Sequence, residues 1–598
     1  MLNFKRITVL FVFLTCWIFA LPPAVDRIIQ KSGISKNDIS IYIKETESRG
    51  REIASLNASK TRTPASVIKV LSTYAAVLKL GFDYRWPTQF YSKGKIKNGV
   101  LKGDLLVKGF GDPTLSTKHL ESIVTKIKAK GIKKITGNIV IDRSYFAVGT
   151  KNNSGFDKHT YSPYNAMPDA MMFNERISTI CITPKKNDVH KKVADGSYII
   201  KNNLQRVNKP CRGRYSWPAF KIDNSTAIPE VLLKGKISKK CGTRNICKVI
   251  TKPYKSFYYA LKDALNKAGV NVQGTMRLHK IPVNAHILFT HYSESLEKII
   301  SKTAKKSNNL YARHLLLFLG AKMYGAPATL SKGRKAIEYI LRSKGALGAG
   351  MLSIDNGCGL SRTAKLNAKL LAGVYDDAYK RYGTRWMKTL SIAGVDGTIK
   401  RRFRGTVVKN RAWMKTGTLK RVKNIGGYVK SKNGRLYTVV ILVNTKQGRW
   451  KASQLQNNIM KWLVTYKGRS VKQAVKPVSK SISQTTVKTS TRRDNTTVSS
   501  KKKQAKVKNI AIPKAIGAYY IQTGSFSQAP TSDYLLRITK LGLSYTTEYT
   551  DKYKVLVGPY RNESQARNSL AKIRKYINSG AFLVNNNQNF NSSETTLY

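Results

Sequence analysis

Apolar and polar residues alternate along residues 39–44, and a second strand-like run follows at residues 52–56, so a β-hairpin is predicted near the start of the globular part. The period lengthens to that of a helix over residues 64–80, with Thr63 as its expected N-cap and Pro64 at its first helical position. Two β-rich runs, residues 424–431 and 435–444, are joined through Asn433-Gly434, a dipeptide suited to the positive φ angles of a tight hairpin. A closing amphipathic helix is predicted over residues 450–463, where Leu455, Ile459, Trp462 and Leu463 recur at helical spacing. The middle of the chain reads as short strands and turns. Residues 92–284 are therefore expected to be inserted into one domain made of residues 22–91 and 285–465.

The ends follow different patterns. Lys5 and Arg6 precede an apolar run to Leu21 and then Pro22-Pro23, the layout of a secretory signal over residues 1–21, which predicts an exported, periplasmic protein. Residues 467–514 hold no aromatic residue and a single acid, Asp494, among many bases, so residues 466–514 are expected to be an extended basic linker. Beyond it the chain repeats itself. A strand-like run from Tyr519 to Phe526 precedes a helical stretch at 531–541, and one from Tyr553 to Tyr560 precedes another at 563–577. With strands at 543–548 and 581–584, residues 515–585 follow a β-α-β-β-α-β, ferredoxin-like plan, and 586–598 form a tail. The fold class expected for the whole is multidomain α/β (α+β).

The net charge of +77 would ordinarily suggest a nucleic-acid partner. Export and the lack of any recognition motif argue against one. The excess of lysine runs through every segment, so part of it is a background on solvated faces. The rest is expected to attract polyanions outside the cytoplasm, such as wall carboxylates or anionic headgroups, the latter allowing peripheral membrane association. Six cysteines are present; without Cys16, an odd set remains: Cys181, Cys211, Cys241, Cys247 and Cys358. Disulfides are expected within residues 181–247 with the pairing open, and no metal site, because no CxxC pair or His cluster occurs.

Ser66 and Lys69, three residues apart at the start of the first helix, place a hydroxyl beside an amine. The lysine can take the serine's proton if burial or a second cation lowers its pKa. Ser307-Asn308-Asn309 follows in a polar break between helical stretches, and Lys415-Thr416-Gly417-Thr418 in a strand-like run before the Asn433-Gly434 hairpin. SxxK, SxN and KTG in this order resemble the penicillin-recognising serine acyltransferases. The long insertion, residues 109–115, Asp355-Asn-Gly-Cys-Gly-Leu-Ser-Arg362 and residues 393–398 resemble more narrowly the S13 family of PBP4-type D-Ala-D-Ala carboxypeptidases, over about residues 25–465.

That resemblance implies a transpeptidase-like serine hydrolase domain bearing a large β-rich insertion. It implies Ser66 as the acylated nucleophile, Lys69 as its base, Ser307 as a proton relay and Asn309 as a substrate-amide ligand. Lys415, with Thr416 and Thr418 in the run that includes Gly417, would hold the terminal carboxylate and keep Lys69 partly neutral by repulsion. Backbone amides of Ser66 and Thr418 would form the oxyanion hole. Asp142, Phe146 and Arg362 match positions expected to meet the zwitterionic side chain of meso-diaminopimelate, with Lys420 altering that pocket. Cys358 stands where the family usually has Ser and is read as a buried small residue. Residues 515–585 resemble a SPOR domain through Tyr520-Ile-Gln-Thr-Gly-Ser-Phe526 and Val555-Leu-Val-Gly-Pro-Tyr560. The partners implied are peptidoglycan stem peptides at the active site, glycan strands at the SPOR domain, placement at the division septum, and β-lactams as covalent inhibitors; no cofactor is expected. A serine β-lactamase and a catalytically silent wall-binding scaffold are the alternative functions.

Overall fold

The computed structural model describes residues 21–468, apart from 47–49, 150–152 and 348–349, and most of residues 519–585. The chain separates into two units, one ending at Val475 and one beginning at Lys476. Residues 1–20 of the expected leader, residues 469–514 of the expected linker, and the tail lie outside the described residues, as does part of the helical stretch expected at 531–541.

At the centre of the first unit is a six-stranded antiparallel sheet. Its spatial order is Ser391–Ile392, Ala412–Leu419, Val422–Lys430, Leu436–Asn444, Ile39–Glu45 and Glu52–Leu56. The strand Leu436–Asn444 carries an unbroken apolar run, residues 439–443, because both its faces are covered. Val439, Ile441 and Val443 pack with Val25 and Ile29 of the helix Pro23–Ser32 and with Leu455, Ile459 and Leu463 of the helix Arg449–Thr465. Val440 and Leu442 face the opposite way, against Leu371, Val374 and Tyr375 of the helix Ala368–Met387. Each such side chain, fully buried, contributes roughly 1.5–3 kcal/mol over an exposed one.

That second face carries the layer of helices that holds the motifs. The helix Asn309–Tyr324 is buried from Leu310 to Ala321, so its sequence has little polar face to mark it. The helix predicted from Pro64 begins later. Ala65 has φ 49°, residues Ala65–Ile68 form a 3-10 turn, and the α-helix runs Lys69–Leu80. Thr63 caps nothing here; its N–H donates to Asn444 Oδ1 at 2.9 Å.

The inserted part is bounded by two strands that pair with each other, Pro87–Lys97 and His286–Tyr292. They belong to a seven-stranded sheet covered by the helices Leu120–Lys128 and Pro253–Lys267, which the sequence reading had not separated from the strands and turns. Two three-stranded sheets extend from it around a small core of Ile180, Ile182, Val231 and Leu233. There Cys211 and Cys241 form a disulfide; Cys181, Cys247 and Cys358 are free.

In the second unit the strands run in the order Tyr545–Tyr549, Tyr553–Tyr560, Tyr519–Phe526, Phe582–Asn585, all antiparallel. With the helix Glu563–Tyr576 and a helical segment around Tyr534–Ile538, this is the ferredoxin-like arrangement. Tyr519, Phe526 and Tyr560 pack against the core of Ile521, Val555 and Val557, which accounts for them as packing residues.

Candidate active site

The turn that carries Ser66 is shaped by contacts from distant parts of the chain. A non-glycine residue in the left-handed region costs about 1–2 kcal/mol. At Ala65 the conformation is held by backbone on both sides. Asn424 Nδ2 donates to the carbonyls of Thr63 and Pro64, both at 2.9 Å, while Asn424 Oδ1 accepts from Val443 N–H at 2.9 Å. Gly359 lies over the turn, and a Cβ there would stand 2.0 Å from the Ala65 carbonyl oxygen. Gly417 lies against it from the sheet, and a Cβ there would come within 2.7 Å of the Pro64 carbonyl and 3.0 Å of the Ser66 and Val67 amide nitrogens. Strand and turn thus approach at a distance only glycine permits.

Ser66 is half-buried, and Lys69 one turn on is fully buried. The Lys69 ammonium donates to Ser66 Oγ at 2.7 Å, to Asn309 Oδ1 at 2.7 Å and to the Cys358 carbonyl. Three donors meet three acceptors. Burial, assisted by the nearby Arg313 guanidinium, brings the Lys69 pKa down to about 8. The expected repulsion between Lys415 and Lys69 is present as well: Lys415 is held well below its ordinary range, first by burial and then by Lys69.

Lys415 Nζ donates to Ser307 Oγ at 2.9 Å and to the Thr416 carbonyl at 2.8 Å, tying the KTG strand to the SxN loop. Thr416 Oγ1 lies 2.8 Å from Thr398 Oγ1, and exposed Thr418 accepts from Lys423 Nζ at 3.3 Å. Asn309 spans the cleft, its Oδ1 on Lys69 and its Nδ2 donating to the Tyr164 carbonyl of the insertion at 3.0 Å. The structure therefore brings together Ser66, Lys69, Ser307, Asn309, Lys415 and the KTG strand.

The four residues assigned to the stem-peptide pocket are placed differently. Asp142 is 2% exposed, and both oxygens accept backbone N–H groups within the insertion, from Ser144 at 2.9 Å and Ile281 at 3.1 Å. Phe146 is buried beside Gly111 and His314. Their environments are those of a loop cap and a core residue. Arg362 is exposed, its guanidinium 4.8 Å from the Phe156 ring centroid, on a pocket of about 380 Å³ that Arg313 and Asn356 also line. Lys420 is exposed in the turn after the KTG strand.

Sequence reasoning missed the Cys358 carbonyl, Arg313, Tyr164 and Asn424. Of these only Asn424 left a signal, as an amide in the middle of a β-rich run, where that residue type is depleted. Cys358 itself is buried, with its thiol on Asn356 Oδ1 at 3.0 Å, so its backbone rather than its sulfur serves the site.

Residues 21–466 match the D-Ala-D-Ala carboxypeptidase 3 (S13) family, and residues 515–585 match the SPOR domain. Over 451 residues the chain is 27% identical to the D-alanyl-D-alanine carboxypeptidase DacB of Haemophilus influenzae, covering 71% of this chain and 91% of that protein. It is 25% identical over 431 residues to the D-alanyl-D-alanine carboxypeptidase of Actinomadura sp. strain R39, covering 69% and 79%. Among solved structures, penicillin binding protein 4 (dacB) from H. influenzae superimposes with a TM-score of 0.63 at 25% identity, over 74% of this chain and 99% of that one. The same protein complexed with a novel β-lactam gives a TM-score of 0.60 at 26% identity, with the same coverage.

Proposed function

The chain belongs to the D-Ala-D-Ala carboxypeptidase 3 (S13) family and is a serine-type D-alanyl-D-alanine carboxypeptidase, and from that premise we propose that it cleaves peptidoglycan stem peptides through an acyl-enzyme on Ser66. The observation that carries the mechanism is the set of partners around Lys69. Once neutral, Lys69 keeps two N–H donors for Asn309 Oδ1 and the Cys358 carbonyl, and its lone pair accepts the Ser66 proton. Ser66 Oγ then attacks the carbonyl between two D-alanines. Backbone N–H groups of Ser66 and Thr418 receive the oxyanion, each worth about 3 kcal/mol in comparable sites. The C–N bond breaks as the departing amine takes a proton through Ser307, and water later hydrolyses the ester to free Ser66.

Lys415 spends two of its three N–H donors on Ser307 and Thr416, which leaves one for the terminal carboxylate of the substrate. A β-lactam, which carries the same carboxylate, acylates Ser66 by the same route but leaves no separate amine. Cleavage of the D-Ala bond within a cross-link is the same chemistry with a longer leaving group, so DD-endopeptidase activity belongs to this reading. Arg362 supplies the cation for the carboxylate of a diaminopimelate side chain. The protein works in the periplasm, with the SPOR domain engaging glycan strands.

The test is Ser66→Ala against the intact protein, read by covalent labelling with a fluorescent penicillin and by the mass of muropeptide products. The variant should fold, take no label and release no D-alanine. Undiminished labelling of the variant excludes Ser66 as the acylated residue.

A further inference from the structure

The insertion meets the SxN loop through a residue presented by unfavourable backbone. Asn174, Glu175 and Arg176 are consecutive and have φ of 47°, 51° and 59°. L-residues take up such a left-handed run only where the surroundings impose it. Asn174 is fixed to the insertion three times: its Oδ1 accepts from Thr117 N–H at 3.0 Å, its Nδ2 donates to Thr117 Oγ1 at 2.9 Å, and its own N–H donates to the Leu115 carbonyl at 3.0 Å. Arg176 Nη1 donates to the Met167 carbonyl at 2.9 Å, and Phe173 ahead of the run is fully buried.

The anchored run directs Glu175 out of the insertion. Its Oε2 accepts from Asn308 Nδ2 at 2.9 Å, and its Oε1 accepts from the Tyr311 hydroxyl at 3.1 Å and pairs with Lys302. Asn308 stands between the two SxN residues that face the cleft. Its other amide atom caps the helix Asn309–Tyr324 by accepting from Tyr311 N–H at 3.1 Å. Ser307 is itself in the left-handed region, at φ 53°, so this loop is strained and relaxes unless its neighbours restrain it.

We propose that Glu175 is a positioning residue of the carboxypeptidase reaction: by gripping Asn308 and Tyr311 it keeps Ser307 and Asn309 in register with Ser66 and Lys69. The inference rests on the roles proposed above for those residues. Glu175 touches no reacting atom and acts only through Asn308 and Tyr311. Its two oxygens make charge-assisted bonds to side chains one helical turn apart, which fixes the rotation of the loop about the helix axis as a single bond does not. A displacement of the relay or the amide by about 1 Å is enough to cost about a hundredfold in rate.

The experiment measures penicillin acylation rate per titratable site, and D-alanine release, on the full chain. Glu175→Ala should slow acylation about tenfold to a hundredfold with substrate KM changed much less, and Glu175→Gln should fall between the two. Asn308→Asp, which sets a second carboxylate against the first, should be slow. Asn308→Asp combined with Glu175→Gln exchanges donor and acceptor and should recover most of the rate. A Glu175→Ala rate within twofold of wild type overturns the proposal even if melting temperature falls. Should that variant not fold, the exchange pair decides: no recovery over Asn308→Asp overturns it. Ser66→Ala in parallel separates the layers, because labelling of that variant defeats the Ser66 assignment itself, whereas its silence beside a normal Glu175→Ala defeats only this inference.

Discussion

Lys69 donates to Ser66 Oγ at 2.7 Å while fully buried, so the proposed nucleophile and base are in contact in a site where the lysine's charge is expensive. With its pKa near 8, Lys69 is about a tenth neutral at pH 7 and mostly neutral above pH 9. Acylation by penicillin should therefore rise about tenfold per pH unit below pH 8 and level off above it. Arg313→Met removes a cation that lowers the Lys69 pKa, so the midpoint should move to higher pH. Folding stability has a matching sign. The unfolded lysine titrates near 10.5, so the unfolded chain binds more protons between about pH 8 and 10.5, and Lys69's unfavourable contribution lessens as pH rises through that window. A rate profile flat from pH 6 to 9, against the roughly hundredfold rise expected, would exclude Lys69 as the base.

Gly417 makes a different demand, one of space. A Cβ there meets backbone atoms of Pro64, Ser66 and Val67 at 2.7–3.0 Å, and backbone cannot swing aside as a side chain can. Gly417→Ala should therefore separate the KTG strand from the nucleophile turn and lower the acylation rate about a hundredfold, with melting temperature falling by only a few degrees. Stopped-flow acylation and a thermal melt on the same sample check it; a wild-type rate would show that the approach is not needed for chemistry.

The motifs were legible because acyl transfer needs particular side chains at fixed local spacings, as with Ser66 and Lys69, and their order placed the core sheet and its insertion. The strain at Ala65 was not legible, because it is imposed by Asn424 and Gly359, hundreds of residues away in sequence. Thr63 looked like an N-cap, but a 3-10 turn over Ala65–Ile68 precedes the helix, and the Thr63 hydroxyl instead accepts from Lys365 Nζ at 3.4 Å. The Cys358 carbonyl left no trace because every residue carries one. Asp142 was ambiguous for a related reason: an acid at a strand end has the same letter whether it caps backbone N–H groups, as it does here, or faces a ligand.

That last distinction is measurable. Asp142→Asn keeps one acceptor, for Ser144, but removes the charge, so it should lower the melting temperature and leave discrimination between stems with diaminopimelate and stems with lysine unchanged. Arg362→Ala should do the reverse. Among the described residues its exposed guanidinium makes no hydrogen bond or ion pair and lies over Phe156, and loss of one charge-assisted bond to a stem carboxylate should raise KM about tenfold, or about 1.4 kcal/mol. A specificity change in Asp142→Asn with full stability would return Asp142 to the pocket.

The last prediction concerns the C-terminal unit. The catalytic unit closes with Tyr466 packed on Trp462 and Tyr437, and with the Lys467 carbonyl accepting from Asn433 Nδ2 at 3.2 Å. Truncation after Gly468 keeps all of these, so turnover of a small soluble pentapeptide should stay within about twofold of the full chain, a change of only about 0.4 kcal/mol. Binding to purified sacculi should fall, because a tethered second site raises the local concentration of stems without adding any contact at Ser66. Salt separates two sources of that binding. The basic residues between the units attract wall carboxylates only through screened charge, and that part should vanish as the Debye length shrinks to about 3 Å at 1 M salt. Binding that persists at 1 M salt belongs to the folded SPOR unit, and it should be reproduced by residues 515–585 in place of the full chain. A fluorescent fusion of the truncated protein should also disperse from the division site. Full sacculus binding by the truncated protein, at low and high salt alike, would show that the wall is held by the catalytic unit and that the C-terminal unit is not the anchor.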